Sequence, residues 1–189
     1  MKIHYQKRNT GFTLIETLVA ISILSISILG TFTAVQTSLQ SSGYAKDQVT
    51  AFYLAQESIE YLRNKRDENA LNSLNSLASG GSAVGWLTGI SAVATDPCYF
   101  GKVCTVDSPG ATLSACSGAL GSCPVLNQDS ATGLFGYNVT WTPTDFKREI
   151  QLQTVAGNAN EIVAIITVSW QSGAFSKTFQ IRESLFNNR

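Results

Sequence analysis

Apolar and polar positions follow three different patterns along this 189-residue chain. Residues 12–35 are apolar or hydroxyl-bearing on every side, with Glu16 as the only ionisable side chain, and as a helix they are long enough to cross roughly 30 Å of hydrocarbon. Further on, Ala45, Val49, Phe52, Ile59 and Leu62 recur at near-helical spacing, with Lys46, Asp47, Glu57 and Glu60 among them. The helix is therefore predicted to continue as an amphipathic half to about Arg66, giving a rod of roughly 80 Å at 1.5 Å per residue. Gly30 and Gly43 weaken that rod by about 1 kcal/mol each relative to alanine. Leu71, Leu74 and Leu77 read as a short or frayed continuation before a loop at Gly80-Gly81.

The third pattern has period two. In 146–154, Phe146, Ile150 and Leu152 share one face while Lys147, Glu149, Gln151 and Gln153 take the other. Residues 162–170 begin apolar on both faces, as a central strand does. Residues 175–185 alternate again, after a hairpin turn at Gln171-Ser172-Gly173. With 134–142 added, four antiparallel strands are predicted to pack one face on the amphipathic half of the helix. The fold class is α+β. The expected division is 1–11 leader, 12–35 membrane and assembly helix, 36–68 amphipathic continuation, 69–133 loop region with four cysteines, and 134–189 sheet.

Charge adds a direction to this layout. The chain has thirteen basic and thirteen acidic side chains and no net charge. Lys2, Lys7 and Arg8 stand before the apolar run with no acid among them, so losing the leader leaves ten bases against thirteen acids. Such a balance excludes a polyanion binder by composition, and no nucleic-acid partner is expected. Lys147, Arg148, Lys177 and Arg182 are read as a solvated face rather than a basic patch. Positive residues before the span place the N-terminus in the cytoplasm and the bulk of the chain outside. An acid inside such a span is costly, on the order of 2.5 to 3.5 kcal/mol at the bilayer centre, so Glu16 needs something to neutralise it. Cys98, Cys104, Cys116 and Cys123 are an even set in an oxidising compartment, which argues for disulfides. Of three connectivities, short-loop closure favours Cys98 with Cys104 and Cys116 with Cys123; nested pairing stays open.

The run Lys7-Arg8-Asn9-Thr10-Gly11-Phe12-Thr13-Leu14-Ile15-Glu16 resembles the class III signal of type IV prepilins and type II secretion pseudopilins. The resemblance implies that a prepilin peptidase cuts between Gly11 and Phe12 and methylates the new amine of Phe12. A glycine at the cut presents backbone without a side chain to obstruct it. It also implies that Glu16 meets the N-terminal ammonium of a neighbouring subunit in the assembled fibre. Leu54-Ala55-Gln56-Glu57 and Glu60-Tyr61-Leu62-Arg63 further resemble PilV-like minor pilins and GspI-like pseudopilins, as do the Phe146-Lys147-Arg148 start and the Val168-Ser169-Trp170 to Gly173 hairpin. Many major pilins carry a proline near the position of Thr33; this chain has none. Arg63, Lys65 and Arg66 are expected at a helix C-terminus, complementing its dipole.

Catalytic chemistry finds no footing. The only histidine, His4, lies in the leader, no phosphate loop or zinc motif is present, and no cofactor is expected. Asp96, Asp107, Asp129 and Asp145 are too scattered for a calcium loop. Asn138-Val139-Thr140 matches a glycosylation sequon, whose ordinary reading is a strand surface. The expected function is that of a non-enzymatic minor pilin or pseudopilin of a type IV pilus or type II secretion pseudopilus. Its expected partners are the prepilin peptidase, other pilin or pseudopilin subunits, an inner-membrane assembly platform, and lipid before assembly. The alternative is a pilus-tip adhesin or DNA-capture module on the same anchor.

Overall fold

The computed structural model describes Gly11, residues 13–173 and residues 175–187; Phe12 and the leader residues Lys2, His4, Lys7 and Arg8 lie outside the described residues. The architecture is α+β: helix α1 (Leu14–Ala78) followed by an antiparallel sheet. Contacts divide the chain at Ala45 and Lys46 into two units, taken separately below.

α1 ends where the glycine pair predicts. Gly80 is left-handed (φ 80°), its N–H donates to Leu77 O at 3.1 Å, and the N–H of Gly81 donates to Ser76 O at 2.8 Å. That bond pattern is a Schellman cap, which satisfies carbonyls the last turn would leave open. Because the helix runs to Ala78, Arg63, Lys65 and Arg66 are interior residues rather than a C-terminus. They pair instead with Glu60 and Glu183, Glu68, and Asp67 respectively.

In the second unit the buried stripe of α1 is Ala51, Leu54, Ala55, Ser58, Ile59, Leu62, Asn69 and Ser73. Of the expected stripe only Ile59 and Leu62 face the core; Ala45 is exposed, and Val49 and Phe52 are 54% and 41% exposed. The centre of the buried stripe is made of small residues: Ala51, Ala55 and Ser58 are fully buried, while the larger Val49 and Phe52 stand at its flank.

The sheet has seven strands rather than four: β1 (Val103–Asp107), β2 (Thr112–Ala115), β3 (Val125–Gln128), β4 (Phe135–Gly136), β5 (Thr142–Val155), β6 (Asn158–Ser172) and β7 (Phe175–Phe186). β5 is the axis. One of its edges pairs with β6, which pairs with β7; the other takes β3 near its start and β1 at Gln151 and Ile150. The strand expected over 134–142 shrinks to the two residues of β4, because Asn138 folds the chain back through a turn in which its Oδ1 accepts from Thr140 N and Oγ1. The region 69–133, expected as loop, contributes the end of α1 and strands β1 to β3. Two disulfides organise it, Cys98–Cys104 and Cys116–Cys123, with Cα separations of 5.1 and 5.0 Å.

Two charged neighbours on β5 hold the layers together. Arg148, expected on a solvated face, is fully buried on the helix side, sharing that side with Phe146, Ile150 and Leu152 by strand alternation. Its guanidinium donates to Leu54 O of α1 (3.2 Å), to Val106 O of β1 (2.6 Å) and to the Glu57 carboxylate. Glu149, also expected to face solvent, is buried on the opposite side. Both its oxygens accept from Gly121 N at 2.8 Å and one from Cys123 N at 3.2 Å, while Lys147 Nζ donates to Gly121 O at 3.0 Å. The second disulfide loop is thus pinned to the outer face of the sheet by an acid and a base two residues apart.

Candidate functional site

The candidate chemistry lies at the start of α1. Gly11 is exposed, and a Cβ placed there would meet nothing within 4 Å. Thr13 is the N-cap: its Oγ1 accepts from Glu16 N at 3.3 Å, and its carbonyl accepts from Thr17 N at 3.2 Å, closing the first turn. Thr13-Leu14-Ile15-Glu16 is therefore a capping-box sequence, with the acid at the third helical position. Sequence reasoning singled out Glu16 and missed Thr13, although the T-x-x-E spacing before an apolar run was there to be read. At that position the Glu16 carboxylate also lies where the helix dipole favours an anion.

From residue 13 to 45 every described side chain is exposed. Leu14 is 82% exposed and Ile26 70%; within its unit this apolar surface packs against nothing. The helix is long and apolar enough to cross a membrane. Seven of its hydroxyl side chains are internally satisfied. Thr17, Ser22, Ser25, Ser27, Thr31, Thr33 and Thr37 each donate a hydroxyl hydrogen bond to a carbonyl three or four residues back, at 2.8 to 3.2 Å. Such bonds let hydroxyls sit in an apolar surrounding without an unmet donor.

The other predicted residues are structural. All four cysteines are in disulfides. Asp96 Oδ2 accepts from Ala92 N (2.7 Å) and Val93 N (3.0 Å). Asp129 caps its own turn through Thr132 Oγ1 (2.6 Å) and Ala131 N (3.0 Å), and those bonds hold its carboxyl below the usual range. Among the described residues no group of three metal-ligating side chains comes together. Tyr137 meets Thr105 Oγ1 at 2.6 Å, and burial pushes its phenol up. Tyr61 donates to Ala111 O at 2.8 Å; its phenol is likewise raised, chiefly by burial.

Residues 6–32 match the family model described as the prokaryotic N-terminal methylation motif. That motif is the class III prepilin signal, the chain carries it, and the match is consistent with a type IV pilin-like protein. It supports a pilin-type protein of a type IV pilus or pseudopilus, implies processing by a prepilin peptidase and assembly with other pilins, and suggests membrane anchoring. No curated protein and no solved structure matches the chain.

Proposed function

We propose that the chain is a minor pilin or pseudopilin, a non-enzymatic subunit that enters a helical fibre through residues 12–45. The carrying observation is the coincidence of the methylation motif with a capped helix whose apolar surface is entirely unpacked. Before assembly that surface is covered by lipid, with the N-terminus in the cytoplasm and the sheet domain outside. After cleavage between Gly11 and Phe12 and methylation of the Phe12 amine, an inner-membrane platform lifts the helix out of the bilayer. Lipid contacts are exchanged for contacts with other subunits, and Glu16 pairs with a neighbour's ammonium. The pair neutralises two charges that would each be costly alone in a dry surrounding.

Glu16→Gln tests this. The change keeps shape and removes charge, so membrane insertion is unchanged or easier. Processing at Gly11, read by N-terminal mass spectrometry, is expected to proceed, while the amount recovered in sheared fibres falls. Equal fibre levels for the two forms reject the pairing, and mature protein that retains Met1 in a host with active peptidase rejects the processing site.

A further inference from the structure

Among the described residues, β7 pairs only with β6. The other marginal strands, β2 and β4, are four and two residues long, but β7 has twelve. Long edges are normally blunted by a bulge, a proline or charged side chains, and of these β7 carries only the charges Lys177, Arg182 and Glu183. Here the β6–β7 register runs without a shift from Glu161↔Phe186 to Ser172↔Phe175, and β7 contains no proline. One side of β7 carries Phe175, Lys177, Phe179, Ile181, Glu183 and Leu185. This row faces α1: the Phe179 ring lies 5.9 Å from that of Phe52, and Glu183 pairs with Arg63. The row is only partly covered, with Phe175 70% exposed.

The row is self-complementary about Gln180. In an antiparallel pair of β7 strands centred there, Lys177 lies opposite Glu183, Phe179 opposite Ile181 and Phe175 opposite Leu185, each twice by symmetry. The other row sets Thr178 opposite Arg182 and Ser176 opposite Ser184. Moving the centre one residue, to Phe179 or Ile181, puts Lys177 opposite Ile181 or Leu185 and loses both ion pairs. Directly opposed side chains are the unit of sheet stabilisation, so charge and apolar pattern together select one register.

We propose that β7 binds β7 of a second copy of this chain, antiparallel and centred on Gln180, so that the sheet continues across two molecules by an isologous contact. α1 runs alongside β7 in the same direction, since Phe52, Arg63 and Arg66 meet Phe179, Glu183 and Phe186 in turn. It also reaches Arg148 of β5, and so lies inward of the open edge. The two-fold axis therefore sets the packed halves of the two α1 helices antiparallel. This contact joins copies of opposed direction, such as subunits of two fibres meeting side by side, and it stands apart from the helix-mediated assembly proposed above.

The test uses the full chain in detergent micelles, with mass followed against concentration. Wild type is expected to dimerise. Lys177→Glu places like charges opposite each other twice and weakens the dimer about tenfold or more; Glu183→Lys does the same. An equimolar mixture of the two variants restores association, because every Glu then faces a Lys. Since Glu183→Lys also removes the partner of Arg63, a photoreactive side chain at position 178 of the otherwise natural chain gives an independent readout, expected to capture the other copy at or beside Arg182. A monomer at all concentrations, cross-links that avoid β7, or a mixture no better than either variant alone overturns the proposal.

Discussion

The two halves of α1 keep helical form by different means. From Leu14 to about Ala45 the helix is capped by Thr13, carries apolar side chains all round, and folds its hydroxyls back onto its own carbonyls. From Lys46 onward it buries a narrow stripe in which small Ala51, Ala55 and Ser58 alternate with Leu54, Ile59 and Leu62, which fill the core with Ile150, Ile166 and Val168. Apart from Glu16, the apolar stretch of the first half meets its hydroxyl and backbone bonds within the helix, as an element must if its surroundings are lipid or other helices. The second depends on groups from the sheet, above all Arg148. Stability in α1 is thus local in one half and tertiary in the other. Changes to the sheet domain should leave the first half intact, and changes to the cap should leave the second intact.

The strongest break between them is expected at Arg148. Replacement by Met keeps volume but removes the guanidinium donor from the Glu57 carboxylate and from the carbonyls of Val106 and Leu54, the last of which keeps its bond from Ser58 Oγ. Losing the hydrogen bonds that a buried guanidinium makes costs about 3 kcal/mol, with Glu57, 35% exposed, still within reach of water. Denaturation in micelles, followed by tryptophan fluorescence, should show a sheet domain destabilised by that amount while membrane extraction is unchanged. Adding Glu57→Gln should recover part of the loss, because the unpaired, partly buried charge goes with it. A silent Arg148→Met would show that the guanidinium is not what couples α1 to the sheet.

The disulfides give a graded version of the same break. Each closes a short loop, with sequence separations of 6 and 7, for which loop entropy suggests about 2 to 3 kcal/mol apiece. Cys98 and Cys104 are both fully buried, whereas in the second bridge Cys123 is buried and Cys116 half-buried. Paired serine replacement at Cys98 and Cys104 should therefore cost more, since two hydroxyls enter an apolar site. Thermal unfolding of the two double variants measures the difference, and an equal or reversed order would count against the burial argument.

Legibility followed the same division. The N-terminal half was readable because its determinants are consecutive: basic leader, Gly11, the Thr13 to Glu16 run, then uninterrupted apolar sequence. β7 was readable because a long strand carries its own alternation, and β6 because an apolar run on both faces marks a central strand. Arg148 was misplaced because its charge was given more weight than its parity, although Phe146, Ile150 and Leu152 already assigned even positions to the core. β1 to β3 could not be read because four- or five-residue strands between turns leave no period, and their pairing is fixed by contacts distant in sequence, with Cys104 opposite Ile150. The α1 stripe was not legible because its buried centre is Ala51, Ala55 and Ser58, and alanine and serine carry little hydrophobic signal.

The cap offers a smaller effect, confined to the other half. Thr13→Ala removes the acceptor of the Glu16 N–H, a loss of about 1 kcal/mol at the helix start. Unfolding of the sheet domain should be unchanged, while amide exchange at Glu16 and Thr17 in micelles should quicken about fivefold, the factor that 1 kcal/mol implies. Thr13→Ser, which keeps the oxygen, should restore protection. Exchange that is slow in all three forms would mean that Thr13 does not cap.

The smallest expected effect tests how firmly the packed half of α1 holds a strained turn. Ala111 is left-handed (φ 50°), at the end of the β1–β2 turn, where its N–H donates to Ser108 O at 3.1 Å and its carbonyl accepts from Tyr61 of α1 at 2.8 Å. A residue with a Cβ adopts this conformation at a cost of roughly 1 to 2 kcal/mol. Ala111→Gly relieves that cost but gives the unfolded chain more freedom, worth about 0.4 to 1 kcal/mol in the opposite sense. The net is a stabilisation of about 0.5 kcal/mol, or roughly 1 to 2 °C in the unfolding temperature of a domain this size. Tyr61→Phe should move stability the other way by about 1 kcal/mol, since it deletes a donor to a carbonyl held in place by the turn. If the Tyr61 bond is what keeps residue 111 left-handed, the two effects will not add: with glycine at 111 the turn keeps its shape unaided, and the cost of Tyr61→Phe should shrink. Full additivity in the double variant would mean that the turn imposes the conformation by itself and that α1 merely rests against it.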